Sequence, residues 1–213
     1  VQNQNENMAE ISYIQEILDA VPDLLMILND KRQAVFCNQI LLNFLDKDLD
    51  QVLGYRPGEI FCCIHANKSE GGCGTSEFCR TCNAVKSILA SQKGKMDVSE
   101  CRLSTRTEED EIQAYDLQVW ATPFDYMQKR YCIFVLKDIS HEKRRRVLEK
   151  LFFHDILNAA GSIKGFIELI KHAQAEEASD MVETVSSFIQ SMVDEIEAQK
   201  QLAAAESNEL QVQ

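Results

Sequence analysis

Residues 24–38, LLMILNDKRQAVFCN, decide how the first half of the chain is read. Two short apolar runs flank Asn29 to Arg32, where Asn and Asp interrupt regular structure, so the stretch predicts a β-hairpin. Ahead of it, Ile11, Ile14, Ile17 and Leu18 recur at a helical interval between residues 8 and 20, and Pro22 stops that helix. Behind it, residues 39–92 read as helical or irregular, with turn residues at Gly54, Pro57, Gly58 and Gly71 to Gly74. Three more strands are expected at 96–105, 112–122 and 130–137, with turns at 108–110 and 124–127. Two strands, then helices, then three strands make an α+β fold. Its antiparallel sheet is built from two separated pieces, with helices on one face and a central pocket between the layers.

Strand signals end past Asp138, and from Glu142 the chain reads as helical with one break at 173–179. A helix over 142–173 would be about 48 Å long at its 1.5 Å rise, and its mate over 178–205 nearly as long. Leu148, Phe152, Ile156, Ala159, Ile163, Phe166 and Ile170 share one face of the first; Met181, Val185, Phe188, Met192 and Ile196 share one face of the second. A two-helix hairpin does not bury both stripes alone, so a homodimeric four-helix bundle is expected. The chain then divides into a leading helix (1–20), an α+β domain (21–140), a helical hairpin (141–205) and a tail (206–213).

Composition narrows the functional classes. The 213 residues are 45% hydrophobic, ordinary for a globular protein. No apolar run approaches the roughly 20 residues of a membrane-spanning helix, and VQNQNENMAE lacks a secretory pattern. A cytoplasmic protein with no membrane span is expected. A net charge of -12 repels phosphate backbones and argues against nucleic acid. The basic run Lys143 to Arg146 reads as a solvated helix face rather than a lipid contact. Trp120 reads as a core aromatic, and His141 and His172 as exposed residues at helix ends.

The long helix carries LFFHDILNAAGSIKGFIELI, residues 151–170. At 100° per residue its apolar stripe centres about 200° from His154, so the imidazole points outward. Asn158, Gly161 and Gly165 follow along that outward face, and Asp155 lies between it and the stripe. A neutral imidazole is a nucleophile when its second nitrogen is held, and an adjacent carboxylate holds or deprotonates it. A helix-interior Gly costs about 1 kcal/mol relative to Ala. Two of them beside His154 suggest room for a partner or for a crossing helix.

HDILN resembles the H-box of sensor histidine kinases, placed on the first of two antiparallel helices as in that family's dimerisation and phosphotransfer domain. The resemblance implies that His154 accepts the γ-phosphoryl group of ATP. It further implies Asp155 as general base and Asn158 as the residue orienting water for dephosphorylation of a response regulator. The first 140 residues resemble a PAS sensor domain in strand and helix order, in Asn38 after the second strand and in LKDIS at 136–140. Kinases of this family also carry an ATP-binding domain, and no Asn-containing or Gly-rich box stands after Leu202. The chain is therefore expected to be the sensor and phosphoacceptor part of a longer kinase, meeting ATP through a separate domain, or else a stand-alone phosphorelay protein. The rival from another class is a non-enzymatic metal- or redox-binding sensor and dimerisation module.

FCCIHANKSEGGCGTSEFCRTC, residues 61–82, holds Cys62, Cys63, His65, Cys73, Cys79 and Cys82. Any four of Cys63, His65, Cys73, Cys79 and Cys82 would suit zinc, and the thiolates among them an iron–sulfur cluster. Reduced thiols that respond to oxidation, or simply pack, are the alternative. A haem attachment is disfavoured, since Asn83 rather than His follows the CxxC pair. Cys37, Cys101 and Cys132 fall in strand patterns and read as core. In a PAS domain the segment would lie in the helical middle beside the pocket, as sensed input or as a zinc staple.

Overall fold

The computed structural model describes residues 14–106 and 110–206. They divide between Lys143 and Arg144 into two compact units. In the first unit, α1 (Ile14–Asp19) precedes β1 (Leu24–Leu28) and β2 (Ala34–Cys37). Then come α2 (Gln39–Leu45), α3 (Pro57–Ile60) and α4 (Asn83–Gln92), with single 3-10 turns at Leu49–Gln51 and Glu77–Arg80. The strands β3 (Asp97–Arg106), β4 (Ile112–Tyr126) and β5 (Lys129–Asp138) close the unit. The sheet is antiparallel throughout and runs β2-β1-β5-β4-β3. The order of two strands, helices and three strands is the one the sequence predicts.

The hairpin forms because Asn29 bridges its own turn. Its Oδ1 accepts the Lys31 and Gln33 backbone N–H groups at 2.9 and 3.0 Å, and Arg32 takes the left-handed conformation (φ 64°) that such a turn requires. Every residue of β1 is buried because the strand sits between β2 and β5 with both faces covered. Leu24, Met26 and Leu28 enter the larger core with Leu41, Val52, Ile60, Ile88 and Phe134. Leu25 and Ile27 point the other way, with Val35, Phe36 and Tyr131, and Leu18 and Val21 pack against them. The second face thus has a small core of its own, where the sequence predicts helices on one face only.

Asn38 ties the pieces together at the sheet edge and is fully buried. Its Oδ1 accepts N–H groups from Leu25 (3.1 Å) and Leu41 (3.2 Å), the latter capping α2. Its Nδ2 donates to the carbonyls of Asp23 (2.9 Å) and Val21 (3.3 Å).

Within the sheet, the end of β4 differs most from expectation. The strand β4 continues through Phe124 to Tyr126, and the turn is the pair Met127–Gln128, both left-handed at φ 46° and 60°. Pro123 has no N–H to give to a sheet ladder. However, β3 pairs with β4 only as far as Ala121, and beyond it β4 has a neighbour on one side, where proline is tolerated. The turn expected at 108–110 lies outside the described residues except for Asp110, as do residues 8–13 of the leading helix and the tail from 207.

The helix α5 (Ser140–Ile170) starts in the first unit. Its opening turn is stapled to β4: Ile139 N–H donates to the Asp116 carbonyl (2.8 Å), Asp116 N–H donates to Ser140 Oγ (2.9 Å), and Lys143 Nζ reaches Asp116 (3.1 Å) and Glu100 (2.8 Å). In the second unit, α5 is followed after residues 171–174 by α6 (Ala175–Glu206). Phe152, Ile156, Ala159, Ile163, Phe166 and Ile170 are half-buried, as are Met181, Val185, Phe188 and Met192 of α6. The Phe166 and Phe188 rings meet at 5.9 Å. Leu148 and Ile196, at the far ends of the two stripes, stay exposed.

Candidate phosphoacceptor and thiol sites

The phase of α5 turns His154 and Asp155 to solvent, with side-chain exposures of 68% and 69%. The rings of Phe152 and Phe153 stand edge-on at 5.4 Å beside them. His154 Nδ1 lies 3.0 Å from Asp155 Oδ1, and Asn158 Nδ2 lies 3.2 Å from both ring nitrogens. With Asp155 accepting from a protonated Nδ1, the amide hydrogen of Asn158 has only the Nε2 lone pair to meet. That tautomer leaves the lone pair on Nε2 and sets the Asp155 carboxylate against the Nδ1–H. Asp155 also borders a hollow of about 200 Å³ between Ile156 and Ala159 of α5 and Phe188 and Met192 of α6. A Cβ added at Gly161 or Gly165 would meet nothing within 4 Å, so that flank of the helix is open.

The second site lies inside the first unit. A cavity of about 350 Å³ opens between the sheet and the helical segment, where the sequence predicts a pocket. Cys63, Cys73, Cys79 and Cys82 line it together with His65, so structure brings to one place residues that span 20 positions of sequence. Cys101 of β3 lines it too, half-buried and packed against the larger core. Strand patterning assigned it to the sheet interior, and only the packing of α4 over β3 opens that position to the cavity. Cys37 and Cys132 are core, as predicted, and Cys62 is exposed. Among the described residues, no three His, Cys, Asp or Glu side chains converge closely enough to hold one metal ion.

The loop that carries these thiols is built to be held. Glu59 accepts the N–H groups of Arg56 (2.8 Å) and Cys73 (3.1 Å). Arg56 donates to the carbonyls of Lys31 (3.1 Å), Cys73 (3.1 Å) and Gly71. Gly72 and Gly74 have φ of 73° and 85°, and a side chain at either would run into Glu59 or Arg32. Backbone and hydroxyl donors aim at the sulfurs. Cys79 Sγ accepts the Gly74 N–H at 3.2 Å and lies 3.1 Å from Ser76 Oγ. The Ala66 N–H donates to the Cys63 carbonyl at 2.9 Å, and backbone hydrogen bonding works to lower the Cys63 and Cys73 thiols. Burial nevertheless pushes the Cys63 thiol up, Cys73 to about 11 and Cys101 to about 12, because an apolar wall disfavours an isolated thiolate. His65 stacks on Phe78 at 4.4 Å, and its Nδ1 is buried without a hydrogen-bond partner.

Among the described residues no helix is long and apolar enough to cross a membrane. No family model matches the chain, and none of the curated proteins does. Among solved structures it is similar to the PAS domain of an HTR-like protein from Haloarcula marismortui, at 14% identity and a TM-score of 0.42, covering 65% of this chain and 100% of that one. A PAS domain from a two-component sensor histidine kinase matches at 11% identity and a TM-score of 0.40, covering 62% and 98%. The PAS domain of BvgS from Bordetella pertussis matches at 14% identity and a TM-score of 0.44, covering 67% and 96%. All three of these are described as PAS domains, one of them from a two-component sensor histidine kinase.

Proposed function

We propose that this chain is the sensing and phosphoacceptor portion of a two-component histidine kinase, with residues 21–140 as a PAS sensor and His154 as the phosphoacceptor. The observation that carries the reading is the exposed imidazole of His154 with Nδ1 held 3.0 Å from Asp155. The Nε2 lone pair attacks the γ-phosphorus of an ATP held by the parent kinase's ATP-binding domain, and the bond from that phosphorus to the leaving ADP oxygen breaks. Asp155 takes the Nδ1 proton as general base. A receiver aspartate of a response regulator then attacks the same phosphorus, forming an O–P bond as the N–P bond breaks. Asn158 orients water for the reverse function, hydrolysis of the regulator's acyl phosphate.

The hairpin works as a homodimer in this reading. No residue of α5 is buried within the chain. Beyond the half-buried stripe, Phe153, Leu157 and Ile167 of α5 and Val182, Ile189 and Val193 of α6 are each more than two-fifths exposed. Two helices of 31 and 32 residues need a further pair to form a core, and a second copy supplies it. The signal enters α5 through its stapled first turn at Asp116 and Ser140.

The test is incubation of the chain with the parent ATP-binding domain and γ-labelled ATP. Acid-labile label is expected on the wild type, none on His154→Ala, and a slower rate on Asp155→Asn; label that persists on His154→Ala sinks the proposal. A second reading, a metal- or redox-binding sensor and dimerisation module with His154 incidental, is favoured by the cysteine-lined cavity. It predicts an unlabelled wild type.

A further inference from the structure

The thiol cavity goes beyond that reading and stands whether or not His154 is phosphorylated. We propose that Cys63, Cys73, Cys79 and Cys82 ligate a [4Fe–4S] cluster in the cavity between the sheet and the helical segment, making the sensor unit responsive to electrons or to oxidants that attack the cluster. Four cysteine thiolates are the usual complement for such a cluster, and all four line this one cavity. Each thiolate of a cluster binds its own iron, so the sulfurs stand around a volume. The ligands of a zinc ion must instead close to within about 4 Å of one another, given a tetrahedral Zn–S bond of about 2.3 Å. Four cysteines line one cavity of about 350 Å³, and among the described residues no three groups close on a single ion, so the lining offers thiols around a space rather than a closed zinc site.

The surroundings fit an anionic, water-sensitive group. Phe61, Phe78, Val85 and Ile88 wall the cavity with apolar surface. The Gly74 N–H donates to Cys79 Sγ at 3.2 Å, the kind of donor that stabilises a cluster's negative charge and tunes its potential. Half-buried Arg32 places a positive charge beside the loop, its Nη1 3.5 Å from the Gly74 carbonyl. Backbone also makes way for the ligands. A Cβ at Gly58 would stand 2.6 Å from Cys73 Sγ. Cys62, with φ 51°, turns outward toward Lys47, while its neighbour Cys63 lines the cavity. Cys101 belongs to the β3–β4 ladder opposite Leu117, and we assign it to the wall rather than to the ligand set.

Loading is a ligand exchange on a preassembled cluster carried by small thiolates. Each carrier S–Fe bond breaks as a cysteine S–Fe bond forms, and the cysteine proton passes to the departing carrier thiolate. No electron is transferred.

The experiment mixes the full chain, without oxygen, with a [4Fe–4S] cluster carried by glutathione, followed by desalting. Expected are iron and acid-labile sulfide at about four of each per chain and a visible absorption that bleaches with dithionite. Alkylation followed by mass analysis should show Cys63, Cys73, Cys79 and Cys82 protected in loaded protein, with Cys62 and unfolded-state Cys37 and Cys132 labelled. Ser in place of any of the four ligands, or Gly58→Ala, should cut retained iron several-fold, whereas Cys62→Ser and Cys101→Ser retain it. Trp120 fluorescence reports whether each variant is folded; for one that is not, the protection pattern of wild-type protein decides. Zinc at one per chain with no uptake of the cluster, iron without sulfide, or protection of a different set of cysteines would overturn the assignment.

Discussion

Replacing Asn38 by Ala tests how the sensor unit is held together. Deletion of the amide leaves the Leu25 and Leu41 N–H groups without their acceptor, in a site with no exposure. A buried donor left unpaired costs roughly 1–3 kcal/mol, and the Leu41 bond is also the α2 cap, for which replacement by Ala costs about 1 kcal/mol. The carbonyls of Val21 and Asp23 lose their donor as well, though a carbonyl tolerates this better than an N–H. A net loss of about 3 kcal/mol follows, which for a unit of this size lowers Tm by roughly 10–15 °C. The assay is urea and thermal unfolding followed by fluorescence of Trp120, the single tryptophan, which sits in β4 and reports this unit alone. Asn38→Asp separates the two halves of the amide, because it keeps the accepted bonds but turns an oxygen toward the Val21 and Asp23 carbonyls. A loss below about 1 kcal/mol for Asn38→Ala would mean that water reaches these groups, and the linchpin role would be refuted.

Burial raises Cys37 to about 12 and Cys132 to about 11, while an unfolded thiol ionises near pH 8.5. The folded state therefore holds protons that the unfolded state sheds, and stability falls as pH rises from about 8.5 toward 11–12; a Tm unchanged between pH 7 and pH 10 would contradict this. In native protein at pH 8, iodoacetamide should modify Cys62 well ahead of both buried thiols, by peptide mass analysis. Gly161→Ala, adding a methyl into open space, should stabilise the helical hairpin by about 0.5–1 kcal/mol in thermal unfolding followed by circular dichroism. Gly161→Trp should leave labelling of His154 intact while slowing transfer to the regulator. Val193→Asp, together with Ile189→Asp, should move the chain from dimer to monomer in sedimentation velocity and lower its helix content; an unchanged sedimentation coefficient would remove these residues from the interface.

Local patterns carried much of this fold. The apolar doublet around Asn29 to Arg32 was enough for the hairpin because the turn closes on a single side chain within five residues. The stripe from Phe152 to Ile170 was readable because the 3.6-residue period is a property of the helix itself, and the half-buried positions are those the period selects. The same period set His154 on the exposed flank with Asn158 one turn away. Patterns failed where a neighbour changed the rules: Pro123 sits in a strand because β3 has already ended beside it, and Leu18 and Val21 cover a sheet face that no alternation along β1 advertised.

Sequence by itself thus determined the elements, their order, and the exposed His154–Asp155–Asn158 group, since each depends on spacings within one or two turns of chain. Tertiary structure alone decided that Cys63, Cys73, Cys79 and Cys82 line one cavity and that Cys101 joins them. Glu59, Arg56 and Arg32 from distant segments hold the loop in place. Such convergence is set by how helices close over a sheet and by which buried donors must find partners, and no local period encodes either.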